Sequence, residues 1–196
     1  MQTINYLIID DDVNGRVKCS IDESTIIAYR ISRKHLAGGV DEFDRENWTK
    51  KSGIYLLITK NTGDKPSVYI GQANQRKNGD GFIARLSEHL KDANKGDWSE
   101  AVLLTVKDEY SIPLNALEHR FWKDALDNKR CYLNQTEPAN NKVTDERRGF
   151  FDNFIKYGEF FVGILGHKIY EPISKKKKEE NQSTEKPEEQ IIKKEF

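Results

Sequence analysis

A chain of 196 residues, one third of them charged and with a mean hydropathy of −0.79, suits one main domain with a small appendage. It excludes a helix that crosses a membrane, because no apolar run reaches the roughly 20 residues such a helix needs. The net charge of zero argues against a nucleic-acid binder until its distribution is read: Lys50, Lys51, Lys60, Lys65, Arg76, Lys77, Arg85 and Lys91 face only Asp64, Asp80 and Glu88 within residues 50–91.

Residues 2–9 predict a strand, and Asp10-Asp11-Asp12-Val13-Asn14-Gly15 a turn, since Asn-Gly tolerates positive φ. Three adjacent aspartates invite a metal reading, but no EF-hand loop pattern follows them and turn formation accounts for them better. Residues 16–21 and 25–31 predict two further strands. Ser32 is placed to cap a short helix through Leu36, with Gly38-Gly39 as its stop. Residues 41–51 are charged and read as a link. Residues 1–47 are therefore expected to form a small β-rich module ahead of a main domain over 48–173.

From Ser52 to Gly71 the chain reads SGIYLLITKNTGDKPSVYIG. Two β-favouring runs around an Asn/Gly/Asp/Pro turn predict a hairpin. The polar loop after Gly71 lacks the ending of a phosphate-cradling P-loop. FIARLSEHLKDA then predicts a helix whose apolar face is Phe82, Ile83, Leu86 and Leu90, with Arg85 and His89 one turn apart at its edge. Residues 101–106 (AVLLTV) predict an uncharged strand. Pro113 suits the first turn of the next helix. That helix carries the stripe Leu114, Leu117, Phe121, Trp122 and Ala125, and Glu118 falls in the middle of it, whereas its other charged residues lie outside. A carboxylate aimed at a core demands a cation or a strong donor, either a structural ion pair or a metal.

Lys129 to Asn134 returns the chain toward the hairpin. Thr144 opens a last helix with a stripe of aromatic residues that reads as core packing. Residues 174–196, beginning KKKKEE, hold too little apolar surface to offset chain entropy and are expected to be a disordered, charged tail. Cys19 and Cys131 lie far apart and match no metal spacing. No basic-then-apolar leader opens the chain, so a reduced, cytoplasmic setting without membrane association is expected.

Gly53-Ile54-Tyr55 and Tyr69-Ile70-Gly71 face each other across the hairpin. An arginine with a histidine four residues on, a glutamate on the second helix and an asparagine after it follow in order. Over residues 52–140 this pattern resembles the catalytic domain of the GIY-YIG nucleases. The resemblance implies an α+β fold, a small antiparallel sheet flanked by helices. It implies metal-dependent hydrolysis of phosphodiester bonds, most often in DNA. Glu118 would hold one divalent ion, Mg²⁺ or Mn²⁺, and Arg85 would neutralise charge developing on the phosphoryl oxygens. Tyr55 would take a proton from the attacking water or orient it, assisted by His89 or Tyr69, and Asn134 would orient a phosphate or a tyrosine. Lys60, Lys65, Arg76 and Lys77 of the basic segment are expected to hold DNA. The rival reading is a nucleic-acid-binding or scaffold protein of this fold with little or no cleavage. Intact Tyr55, Arg85 and Glu118 favour the enzyme.

Overall fold

The computed structural model describes residues 2–10, 12, 14–38, 48–60, 63, 65–75, 81–92, 97–108 and 111–171. The expected tail, the acidic part of the link, and Arg76 and Lys77 lie outside the described residues.

Seven strands form one sheet: β1 (Ile4–Ile8), β2 (Val17–Ile21), β3 (Ile26–Ser32), β4 (Gly53–Thr59), β5 (Ser67–Ala73), β6 (Glu100–Val106) and β7 (Tyr132–Leu133). Their spatial order is β1-β2-β3-β6-β4-β5-β7, antiparallel except for the β5–β7 pair. Four helices complete an α+β fold: α1 (Arg33–Ala37), α2 (Phe82–Lys91), α3 (Leu114–Asn128) and α4 (Asp145–Ile164).

The side-chain alternation of the central strands explains why their sequences are apolar throughout rather than every second residue. Ile54, Leu56 and Ile58 of β4 pack with Val102 and Leu104 of β6 under Leu117 and Phe121 of α3 and Phe154 and Phe161 of α4. Tyr55 and Leu57 point the other way with Leu103 and Ala101, against Phe82 and Leu86 of α2, Leu36 of α1, Trp48 and Trp98. Both faces are covered, so both alternating sets must be apolar. By contrast every residue of β1 is exposed at the sheet edge.

The local signals hold at helix ends. The Ser32 hydroxyl accepts from the His35 N–H at 3.2 Å and caps α1 as expected. α3 begins directly after Pro113 and ends at Asn128, and the next residue, Lys129, with a φ of 55°, closes the helix in the left-handed region usually given to glycine.

The three N-terminal strands, read from the sequence as a unit of their own, continue the same sheet. β3 registers with β6 over seven positions, from Ile26 opposite Val106 to Ser32 opposite Glu100. β6 thereby lies between β3 and β4, and the hairpin bearing both signature tripeptides is held against the middle of the sheet.

Candidate active site

Gly53 and Gly71 are explained by what lies against them. Tyr55 is opposite Gly71 in the β4–β5 register, and its ring occupies the space a Cβ at position 71 would need. A Cβ at Gly53 would run into the Leu104 carbonyl oxygen and come within 2.6 Å of Phe82 Cζ. One glycine lets β6 and α2 close on β4. The other leaves room for a tyrosine ring across the strand pair.

Tyr55 is fully buried. Its hydroxyl lies 2.7 Å from His89 Nε2. The ring centroids of Tyr55 and His89 are 5.4 Å apart, those of Tyr69 and His89 5.3 Å, and those of Tyr55 and Tyr69 6.2 Å. The helical spacing of four brings Arg85 to the same place from α2, and only His89 of the two is buried. The Arg85 guanidinium donates to Glu88 Oε2 at 2.8 Å, a bond that outweighs burial and raises its pKa further, and it also lies beside the Tyr55 hydroxyl. Burial holds the Tyr55 phenol well above the ordinary tyrosine range. Nearby Tyr69 adds to this, Arg85 opposes it, and Glu118 adds again. Tyr55 is therefore a neutral phenol.

Glu118 approaches from the opposite face of the sheet. Leu114, Leu117, Phe121 and Ala125 of α3 are buried as the stripe predicts, and Glu118 among them is half-buried. Its Oε2 accepts from Gln72 Nε2 at 2.8 Å. Gln72 extends the Val68, Ile70 alternation of β5, which aims it at α3 while Gly71 beside it faces Tyr55. Burial raises the Glu118 pKa, against the smaller pull of the Gln72 amide and the Arg85 charge. Among the described residues no cation pairs with Glu118, which sets aside an ion pair within them. No cluster of three or more His, Cys, Asp or Glu side chains with metal-holding geometry occurs among them either.

Other expected residues are placed differently. Asn134 follows β7 and donates its N–H to the Val68 carbonyl at 3.0 Å, but its side chain is exposed. The next residue, Gln135, turns inward, and its Oε1 accepts from Ile70 N at 2.5 Å. Lys60 and Lys65 sit at the closed end of the hairpin, beyond Thr59 and before Ser67, whereas Tyr55 and Gln72 lie toward its open end. Lys60 is paired with Glu100 at 3.3 Å yet its side chain stays 75 % exposed, and Lys65 lies over the Tyr132 ring at 5.8 Å. Cys19 and Cys131 are free, and burial pushes both thiols up to about 11, so neither is a ready nucleophile.

Two clefts open beside the cluster. One of about 330 Å³ is lined by Gln72, Ala73, Asn74, Gln75, Gly81 and Arg85. A larger one of about 440 Å³ runs along the start of α3 and shares Gln72 and Asn74 with the first. Gln72 and Asn115, joined at 2.5 Å, are the site residues that reading the sequence missed. For Gln72 a signal existed: a polar side chain closing the inward alternation Val68, Ile70 of a strand buried on that face.

The chain matches no family model, no curated protein and no solved structure.

Proposed function

We propose that this chain is a GIY-YIG-type endonuclease that hydrolyses phosphodiester bonds in DNA with one divalent ion. The observation that carries this reading is the 2.7 Å contact of the Tyr55 hydroxyl with His89, with Arg85 beside it and Glu118 half-buried past Gln72. The resemblance of both tripeptides supports it. So does the physical role of Gly71, which makes room for the Tyr55 ring.

Glu118 fits a metal. It is a half-buried carboxylate that meets one neutral amide and no cation among the described residues. A hard oxygen donor of this kind suits Mg²⁺ or Mn²⁺ better than a softer ion. Bound there, the ion would polarise the phosphate and stabilise the leaving oxygen.

The chain's own residues supply the rest. Arg85, fixed in its charged form, neutralises charge growing on the phosphoryl oxygens. Tyr55 is too weak an acid to serve as a standing phenolate base. Its hydroxyl can donate to His89 Nε2 while its oxygen accepts the proton of an attacking water. The proton then moves from water to Tyr55 Oη as the Tyr55 proton moves to His89 Nε2. Burial of His89 keeps bulk water from short-circuiting this step.

Plasmid DNA incubated with Mg²⁺ or Mn²⁺, with and without chelator, tests the reading. Nicking that depends on the ion and falls about 100-fold or more in Tyr55→Phe supports it. DNA binding without any nicking under these conditions favours the scaffold reading instead.

A further inference from the structure

Resting on the nuclease reading, we infer that the larger cleft seats the base of the nucleotide next to the scissile phosphate and reads its edge by hydrogen bonds. Position is the first reason. Gln72 and Asn74 line this cleft and also the smaller one that reaches Arg85. A phosphate beside Arg85 and Glu118 therefore leaves its neighbouring nucleotide at the mouth of the larger cleft.

Chemistry is the second reason. The polar lining is dominated by amides, Gln72, Asn74, Asn115 and Asn141, joined by Ser52, Ser111 and Lys142. A phosphate seat calls for donors and positive charge. Amides present donors and acceptors together, as base edges do. One lysine is the only charge among the described lining residues, and no aromatic ring is among them, so edge contacts rather than ring stacking set the preference. The volume of about 440 Å³ lies within the range of small-molecule pockets, about 300 to 1,000 Å³.

Availability is the third. Gln72 Nε2 gives one hydrogen to Glu118 Oε2 and the other to Asn115 Oδ1. A carboxylate cannot donate, so the amide nitrogen must face it. That fixes which way round the Gln72 side chain sits and leaves its Oε1 as an acceptor. Asn115, whose Oδ1 is taken, keeps its Nδ2 hydrogens as donors. Asn74, Asn141 and Lys142 spend no side-chain hydrogen bond on another described residue. The cleft is thus a set of oriented and unused polar groups, next to the group that orients Glu118. A base reaches it only outside the stack, which is easiest in a single strand or at a mismatch.

The test is an abasic scan. Short single-stranded DNA oligonucleotides are made with the base deleted at each position around the cut mapped with the wild-type chain. Their binding is measured by fluorescence anisotropy in chelator, and their cleavage in Mn²⁺. The expected result is a loss of about tenfold in affinity at one position beside the cut. That position should become indifferent in Asn141→Leu and in Lys142→Met, both exposed substitutions that leave folding intact. A flat scan with a wild-type chain that still cuts overturns the cleft inference and leaves the nuclease reading standing. A wild-type chain that cuts no DNA in any metal overturns both. A position-specific loss that survives unchanged in both variants places the base elsewhere and also overturns the inference.

Discussion

Gly71 and Tyr55 are one structural unit: the tyrosine ring of β4 lies in the space that any side chain at position 71 of β5 would fill, with Cε2 only 2.9 Å from a Cβ built there. The pair links fold to chemistry, because the same ring carries the hydroxyl that meets His89.

Gly71→Ala is therefore expected to act on the site more than on the fold. The new methyl meets a side chain, which can tilt, so the stability loss should be about 1–3 kcal/mol. Tilting Tyr55 breaks the His89 contact, and cleavage should drop steeply in a chain that still melts cooperatively. Gly53→Ala meets the Leu104 carbonyl, which is backbone and cannot move aside. That variant should lose more stability than Gly71→Ala. Equal melting temperatures for the two would contradict this assignment.

Glu118→Gln separates a metal carboxylate from a structural one. Burial raises the Glu118 pKa, so in the folded state the charged form is disfavoured above the ordinary carboxylate range near 4.5. A folded pKa above the unfolded one means stability that is present at low pH and lost as pH rises through the folded value. The glutamine removes that loss, so in chelator at neutral pH the variant should melt at or above the wild-type temperature. Added Mn²⁺ should raise the melting temperature of the wild type alone, and cleavage should fall by orders of magnitude in the variant. A variant that unfolds in chelator would instead reveal a buried cation left without its partner.

Glu159 predicts a second pH effect, unrelated to the site. Burial, then a hydrogen bond and charge from Asp124, push it up to about 7, against the pull of Arg120. Its stabilising contribution is complete below the ordinary carboxylate range and disappears as pH rises through about 7. Glu159→Gln should flatten this dependence. After allowing for partial exposure, the gain above neutrality should be about 1–2 kcal/mol. Chemical denaturation from about pH 5 to about pH 9 checks it, and parallel curves for the two chains would remove Glu159 from the effect.

A chain that begins at Trp48 tests whether the N-terminal strands are separable. Their removal strips β3 from β6 along seven registered positions and uncovers Leu103 and Leu104, each worth about 2 kcal/mol of burial. It also removes Tyr29, Ile31 and Leu36 from the core that supports α2. The shortened chain is expected to lose its cooperative melt. If it melts and cleaves like the full chain, residues 1–47 are an addition rather than part of the core.

Much of this molecule was readable one residue at a time. β-Branched runs, Gly/Asp/Pro turns and the Ser32 cap are local preferences of the backbone, and the structure places strands and helices where they predict. Glu118 stood out because a single charge breaks an apolar helical stripe, which is a one-dimensional pattern. Gly53 and Gly71 were visible as letters, but the reason for them was not, since it lies in Leu104, Phe82 and Tyr55 arriving from other elements. Strand order was likewise decided in three dimensions: nothing local states that β6 runs between β3 and β4, because that pairing depends on which exposed edges and apolar faces meet. The same holds for Gln72, whose alternation marked it as inward-facing without naming its partner. Only the docking of α3 on that face put Glu118 and Asn115 within reach of its two N–H groups. Asn134 and Gln135 are adjacent just past β7, and the way the chain leaves its pairing with β5 turned the glutamine inward and left the asparagine exposed.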